Sequence, residues 1–568
     1  MSINIKKEDQ SYDAIVVGTG ISGGWAAKEL SEKGLKTLVL DRGRMVEHLK
    51  DYPTMNLNPW ELPFADELTP KEKKDIYYVQ SKTSYAVKQS TKHFFVKDNV
   101  HEYIQKKPFL WTRGYQVGGR SLMWGRWAYR RGDVEFESNV KDGVGLDWPI
   151  RYKDIKKWYD HVENFIGVSG NKDNLPQIPD GNFLPPWSMN CIEKHIESKI
   201  ANHYNDRVLT IGRTTNLTKS HGGRGKCLAR NLCVRGCPYG AYFSSNSVTL
   251  PAAQKTSNMT LRPNSIVHTI LFDKNTKKAT GVRVIDEITK ETIDFKSKIV
   301  FLCASTLGST SILLNSVKNS FVDGLGNTSG QLGHNLMDNH FQVGAYGKYE
   351  GYENKYYRGR RPVDVIVPRF QNLDKKTERK EYLRGFSTYG WGGRDGWDRG
   401  IKSLEFGKKY KDSITKPGDW YFTFLAFGEC LPKFENKIHL DYNDVDKWGI
   451  PKLVVDMEFG ENEKEMRKEM ASSSAEMLDI SGFKDINTYD SPSEPGLSIH
   501  EMGTARMGNN PKESVLNKWN QMHDIPNIFV TDGSCMNSNG WGNPSLTYMA
   551  LTARACDYAV KELKKRNL

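Results

Sequence analysis

Residues 13–24 read Asp-Ala-Ile-Val-Val-Gly-Thr-Gly-Ile-Ser-Gly-Gly, and no other stretch restricts the fold of this chain as tightly. Ile15, Val16 and Val17 form a β-branched run too short for a helix and suited to a buried parallel strand. Glycines follow at 18, 20 and 23, then a helical pattern from Trp25 to Leu30 that ends near Gly34. A second apolar strand, Thr37 to Leu40, closes on Asp41. In this order the pieces make a βαβ unit for a dinucleotide. Gly18 supplies the tight turn, Gly20 lets the backbone approach a pyrophosphate, and Gly23 lets helix close on strand. The helix N-terminus faces the phosphates, and Asp41 is placed to accept from a ribose 2′-hydroxyl. The pattern does not separate NAD from FAD.

The rest of the chain is large enough to build walls around such a ligand, with 568 residues of which 38% are hydrophobic. No apolar run approaches the ~18 residues of a membrane span. Met1 to Tyr12 is polar and charged, without a signal-peptide core or twin arginine, so the chain is expected to carry no export signal of its own. A periplasmic or membrane-associated place would then come through partner subunits; the alternative is the cytoplasm. The net charge of +13 is spread among 68 acids with no arginine-rich tract, which reads as a solvated basic surface and not a nucleic-acid site.

Further along, residues 46–110 are polar, aromatic and poorly periodic, as expected of an excursion over a cofactor. A second Gly-rich stretch runs from Arg113 through Gly118 and Gly119 to Gly125. Residues 151–166 have helical spacing, 180–225 look irregular, and Leu261 to Asp286 alternates like a hairpin. Ile299 to Cys303 and Asn527 to Gly533 repeat the buried-strand signature, and Ser311 to Ser316 and Ser545 to about Lys564 read as helices. Between them, residues 341–455 alternate like an antiparallel sheet that includes Trp420 to Phe427 and Lys437 to Asp441, with Tyr389 to Trp397 as a Gly/Trp loop. Residues 460–480 read as an amphipathic helix.

Several segments resemble glucose–methanol–choline (GMC) oxidoreductases. They are the N-terminal fingerprint, Val117-Gly-Gly-Arg-Ser121, Ser329-Gly-Gln-Leu-Gly-His-Asn-Leu-Met-Asp338, His500-Glu-Met-Gly-Thr-Ala-Arg-Met-Gly508, Thr531-Asp-Gly533 and Gly542-Asn-Pro-Ser-Leu-Thr547. They fall in family order along nearly the whole chain. The resemblance implies an α/β (α+β overall) architecture, a Rossmann-like FAD-binding domain interleaved with an antiparallel-sheet substrate domain. The FAD domain is expected over 11–45, 108–135, 245–340 and 496–568, the substrate domain and lid over 46–107, 136–220 and 341–495. It also implies FAD in contact with Gly18, Gly20, Gly23, Asp41, Gly118, Gly119, Ser121, Val267, Asp532, Gly533, Asn543 and Pro544. Related pyranose 2-oxidases tether flavin through a histidine in a Ser-x-His-Trp run; here Met123 stands there, so FAD is expected to be noncovalent.

Oxidising an alcohol requires a hydride acceptor and a base for the hydroxyl proton, and a histidine with a near-neutral pKa suits the second task. By the resemblance His500 is that base and Asn543 the partner that orients the same hydroxyl. A departure from a plain oxidase is Cys227-Leu-Ala-Arg-Asn-Leu-Cys233-Val-Arg-Gly-Cys237-Pro238, within an expected iron–sulfur loop over 221–244. Three clustered thiols with a trailing Cys-Pro point to a 3Fe–4S cluster. The alternatives are a disulfide with a spare thiol, or zinc with a distant ligand such as His221. The spacing resembles catalytic subunits of bacterial FAD-dependent glucose and glucoside dehydrogenases. That implies a small export or assembly subunit, a cytochrome c-type electron acceptor and a pyranose substrate: a glucoside at C3 first, glucose at C1 or gluconate at C2 otherwise. Trp124, Trp127 and the tryptophans and arginines of 389–400 are candidates for sugar stacking or for core packing. A lyase with an idle flavin and a non-catalytic electron-transfer subunit are the readings from other classes; the cysteines oppose the first, His500 and Asn543 the second.

Overall fold

The computed structural model describes residues 5–83, 87–316, 321, 323–355, 361–396 and 406–568. The dinucleotide signature folds as read. Strand Ile5–Val17 leads through the glycines into helix Ile21–Glu32 and back to strand Thr37–Leu40, which lies parallel to the first. Strand Thr292–Leu302 flanks Ile5–Val17 on its other side, also parallel. Beyond lie Met259–Arg262 at one edge and Ile528–Val530 against the end of Thr292–Leu302. These five strands are parallel, so their carboxyl ends carry Gly18, Asp41, Cys303 and Asp532 to one rim, where ligands of open α/β sheets bind. Hairpin Ser265–Asp273 and Lys278–Asp286 completes the sheet in antiparallel register. Helix Ser545–Lys564 packs on Ile21–Glu32 and on Tyr152–Ile166.

A second sheet is entirely antiparallel, in the order Lys484–Asp490, His340–Tyr349, Trp420–Gly428, Phe386–Arg394, Val365–Val367 and Thr210–Ile211. Its alternation sorts the aromatic residues. Trp420, Phe422 and Phe424 point into a core closed by helices Glu461–Asp479 and Cys191–His203, while Leu425 and Phe427 point the other way, into a cavity. Lys437–Val445 pairs instead with Pro451–Asp456, which carries Ile104–Gln105, in a separate three-stranded sheet.

Two readings are corrected here. Residues 389–394 are not a loop but part of a strand. Gly390 and Gly392 stand on its helix-facing side, where a Cβ would lie 2.7 Å from the Phe422 ring and 2.2 Å from the Ile192 side chain. These glycines make room for neighbours and do not bend the chain. Residues 180–225, expected to be irregular, contain helix Cys191–His203, which buries Ile192, Ile196 and Ile200 and is capped by Asn190 Oδ1 accepting from Glu193 N at 3.0 Å. Trp397 and Arg399 lie outside the described residues.

Candidate active site

A cavity of about 740 Å³ runs from the glycine turn to the antiparallel sheet. At the turn, Gly18 has φ +96°, and a Cβ there would sit 2.5 Å from the Cys303 carbonyl oxygen. A Cβ on Gly23 would meet the Gly18 carbonyl oxygen at 1.9 Å, whereas one on Gly20 would meet nothing within 4 Å. Gly23 therefore closes helix on strand behind the cavity, and Gly20 leaves a cradle open towards it. A prediction separates these roles. Gly23→Ala is expected to abolish recovery of folded, flavin-loaded protein, whereas Gly20→Ala folds; the ratio of flavin to protein absorbance checks both.

Asp41 lines the cavity but faces inward as well. Its carboxylate accepts from Thr19 N at 3.1 Å, from the Thr19 hydroxyl and from Gly43 N at 2.9 Å. Burial raises its pKa, against these hydrogen bonds. The Thr19 hydroxyl in turn accepts from Gly118 N at 2.8 Å, so the two Gly-rich stretches are tied together. A Cβ on Gly118 would collide with Asn246, whereas Gly119 reaches the wall beside Gly20. Ser121 donates to Gly118 O at 2.6 Å and accepts from Ser245 N at 3.0 Å; it braces the loop while touching the cavity. Val267, Asp532, Gly533, Asn543 and Pro544 also line the cavity. Asp532 is held by Ser309 Oγ at 2.5 Å and by Ser534 N at 3.0 Å. Thus of the residues expected at a dinucleotide, only Gly23 and Gly118 lie behind the wall.

The shape and donors suit FAD: an open glycine cradle at a helix N-terminus, an acid at the second strand, and the Tyr548 hydroxyl, which is buried and unpartnered, bordering the same space. Of the described residues of 46–110, only Phe95, His101 and Glu102 reach the cavity, whereas 52–57 pack against the cysteine loop.

At the far end, His500 and Asn543 meet, with Asn543 Nδ2 3.0 Å from His500 Nε2. The other ring nitrogen, Nδ1, lies 3.0 Å from Asn339 Oδ1. Asn339 Nδ2 donates to Gly428 O at 2.9 Å and Gly540 O at 3.0 Å, so its oxygen must be the atom facing the imidazole. His500 therefore carries its proton on Nδ1 and turns a bare Nε2 to the cavity. Burial, with Arg120 and Arg131 nearby, pushes its pKa down to about 3. The near-neutral value expected of a histidine base is not met, because the sequence could not reveal the burial of this ring or the two guanidinium groups beside it.

The loop carrying His500 is fastened by the buried Asp338, which accepts from Gly496 N at 2.8 Å, His500 N at 3.0 Å and the Ser498 hydroxyl. Arg120 pairs with Glu501 at 2.9 Å and Arg361 with Glu193 at 2.5 Å, so these two cations of the wall are already neutralised. Trp127, Trp391 and Asp364 complete this end, and Trp124 lies nearby with its Nε1 donating to Phe243 O at 3.1 Å. Arg394, by contrast, turns away to carbonyls at 353, 355 and 418. Asn339, Asp364 and Tyr389 were not singled out in the sequence; Asn339 directly follows the Leu-Met-Asp338 motif, the one signal that pointed to it.

Cys227, Cys233 and Cys237 are half-buried, unpaired and line one small second cavity; Cys233 also reaches the large one. Asn216 Nδ2 donates to Cys233 Sγ at 3.6 Å and Ala229 N to Cys227 Sγ at 3.4 Å. Burial pushes the Cys227 thiol up to about 11, reinforced by Cys233 and Cys237 and opposed by Arg126. The disulfide alternative is not met, as all eight cysteines are free. Nor is the zinc alternative: His221 Nε2 faces Asn164 O at 2.8 Å, and no three ligand groups among the described residues converge on a single ion. A zinc ion would draw its sulfurs to within roughly 4 Å of one another. The absence of such convergence among the described residues bears on an iron–sulfur cluster as well; what remains in its favour is the soft donor set, three free thiols around one small cavity.

Two family models match the chain, both described as GMC oxidoreductase, over residues 12–341 and 432–552. The chain is 26% identical to a 2-methyl-1,2-propanediol dehydrogenase of Mycolicibacterium austroafricanum, with 96% of this chain and 94% of that protein covered. It is 24% identical to the fructose dehydrogenase large subunit of Gluconobacter japonicus, with 99% and 100% covered. The structure superposes on pyridoxine 4-oxidase from Mesorbium loti with a TM-score of 0.59 at 14% identity, covering 96% and 98% of the two chains. That last similarity concerns the fold.

Proposed function

The chain belongs to the GMC oxidoreductase family, and from that premise we propose that it is a dehydrogenase of a neutral pyranoside, oxidising a secondary hydroxyl, first of all C3 of a glucoside. At the family level it is an FAD-dependent oxidoreductase acting on alcohol groups. The observation that carries the finer reading is the pairing of one bare acceptor, His500 Nε2, with one donor, Asn543 Nδ2, 3.0 Å apart at the cavity wall. An alcohol needs this combination: its O–H donates to the first and its oxygen accepts from the second.

FAD supplies the hydride acceptor when bound. His500 takes the hydroxyl proton on Nε2, and Asn543 holds the oxygen so that the carbinol C–H keeps one direction. Asn339 keeps the imidazole tautomer fixed through Nδ1. Trp127 and Trp391 offer flat apolar faces to a sugar ring. Asp364 beside them would repel the carboxylate of an aldonate such as gluconate, and Arg361 is already paired with Glu193, which supports a neutral sugar.

We further assign a 3Fe–4S cluster to Cys227, Cys233 and Cys237, where it would supply one-electron chemistry next to the large cavity. A cytochrome c-type acceptor and a small export or assembly subunit are the partners that such a site calls for, with a periplasmic or membrane-associated place gained through them. No helix among the described residues is long and apolar enough to cross a membrane.

The test is to mix purified, flavin-loaded protein with methyl glucosides, sucrose, glucose and gluconate plus an artificial acceptor, and to identify products by NMR. A 3-keto glucoside is expected; turnover of gluconate alone would contradict the neutral-sugar reading. The pH dependence gives a second prediction. With the His500 pKa pushed down to about 3, its neutral form persists through mildly acidic solution. The rate of flavin reduction at saturating sugar is therefore expected to stay flat down to about pH 5 and to fall only near pH 3. A fall centred near pH 6.5, the ordinary histidine value, would contradict it.

A further inference from the structure

Tyr389 sits on the cavity-facing side of strand Phe386–Arg394, only 1% exposed, and its hydroxyl is 2.5 Å from Asn543 Oδ1. The direction of that hydrogen bond follows from the network around it. Two backbone carbonyls, Gly428 O and Gly540 O, claim the Asn339 amide protons, so Asn339 Oδ1 faces His500 Nδ1. Nδ1 then bears the imidazole proton, and Nε2 is left an acceptor. The Asn543 group beside Nε2 must be its NH₂, so its oxygen faces Tyr389, and the phenol must donate. Burial holds the Tyr389 pKa well above the ordinary phenol value, so this donor is never lost to titration.

We infer that Tyr389 is a positioning residue, which locks the side-chain amide of Asn543 so that its NH₂, and not its carbonyl, meets the substrate hydroxyl. Without the phenol, no other hydrogen bond to Asn543 Oδ1 among the described residues opposes a half-turn of the amide, which would set carbonyl oxygen against the Nε2 lone pair and against the alcohol oxygen. The ring of Tyr389 has its own packing, 4.6 Å from Trp127 and 5.1 Å from Phe427 between ring centres. Tyr389→Phe therefore removes the donor and keeps the contact. The inference rests on His500 and Asn543 as the pair that meets the alcohol.

The test is a double-mutant cycle read as anaerobic flavin reduction per bound flavin by a methyl glucoside. Tyr389→Phe is expected to slow reduction roughly thirtyfold, in the range that misorientation of a reacting group costs. In an Asn543→Ala background the same substitution is expected to change the rate by less than about twofold, because the group it acts through has gone. Ile366→Ala, which loosens the strand position paired with Tyr389 without touching the amide, should instead lower the rate by the same factor in both backgrounds. Equal Tyr389→Phe costs in the two backgrounds, or a wild-type rate in the single variant, would overturn the inference. Asn543→Asp checks it without altering Tyr389. It keeps an oxygen for the phenol and replaces the NH₂ by an acceptor, so it should lose as much as Asn543→Ala; near-wild-type reduction by Asn543→Asp would also overturn it. His500→Ala run alongside separates the two readings: if it keeps its rate, the underlying pair is wrong, whereas its loss together with equal Tyr389 costs refutes the positioning role alone.

Discussion

His500→Ala is expected to lower sugar-driven flavin reduction by about three orders of magnitude, with flavin content and fold unchanged. A positioned general base contributes roughly 10²–10⁴ in rate, and a factor of 10³ corresponds to about 4 kcal/mol of transition-state stabilisation. The fold is expected to survive because the loop is held by its backbone. The Asp338 carboxylate grips Gly496 N and His500 N, and these bonds do not involve the imidazole. The side chain itself touches Asn339, Asn543 and the cavity, so its removal leaves polar groups that water in the cavity can reach. Asn543→Ala should cost less, about ten- to a hundredfold, since it removes orientation and leaves the base in place. Stopped-flow absorbance under anaerobic conditions measures both. Undiminished reduction by His500→Ala would remove this residue from the chemistry.

Replacing Cys227, Cys233 and Cys237 together by serine is expected to reduce iron and acid-labile sulfide from stoichiometric levels to background. Flavin content and sugar-driven bleaching should stay near wild type. The separation is expected because the flavin cradle and the thiol loop are built from different elements. Gly18, Gly20 and Asp41 come from the parallel sheet, whereas the cysteines sit on a loop anchored by Arg230 to Met55 O at 2.8 Å and by Arg235 to Thr54 O at 2.8 Å. Serine keeps the side-chain size while withdrawing the soft ligand that iron prefers. Iron analysis and electron paramagnetic resonance check it. A wild-type protein isolated anaerobically with flavin but no iron would remove the cluster and leave the flavin chemistry standing.

What could be read from the residues alone divides along physical lines. Buried parallel strands announce themselves as unbroken β-branched runs, which is why residues 15–17, 37–40, 299–302 and 528–530 were found and proved to share one sheet. Their carboxyl ends then fixed where a dinucleotide would lie. Residues 389–394 misled because glycine usually marks a bend, and only the partners across the core, Phe422 and Ile192, explain Gly390 and Gly392. Helix Cys191–His203 had a legible signal, with isoleucines at 192, 196 and 200 and the Asn190–Glu193 cap, but polar flanks hid it. Lys437–Asp441 was recognised as strand and assigned to the wrong sheet, since alternation identifies a strand without naming its partner. The protonation logic of the site was invisible for a similar reason. It depends on Asn339, Tyr389, Arg120 and Arg131, drawn from three distant segments, and on two carbonyls, at 428 and 540, that no sequence pattern singles out.

The most direct trial of the account is to mix flavin-loaded protein anaerobically with a methyl glucoside, unlabelled or carrying deuterium on the carbinol carbon, and to follow the visible flavin absorbance. The account predicts bleaching by both, several-fold slower for the deuterated sugar, because the C–H bond breaks as His500 takes the hydroxyl proton. Flavin that stays oxidised with every neutral sugar offered, or bleaches at one rate whatever the isotope at each carbinol position, would contradict it.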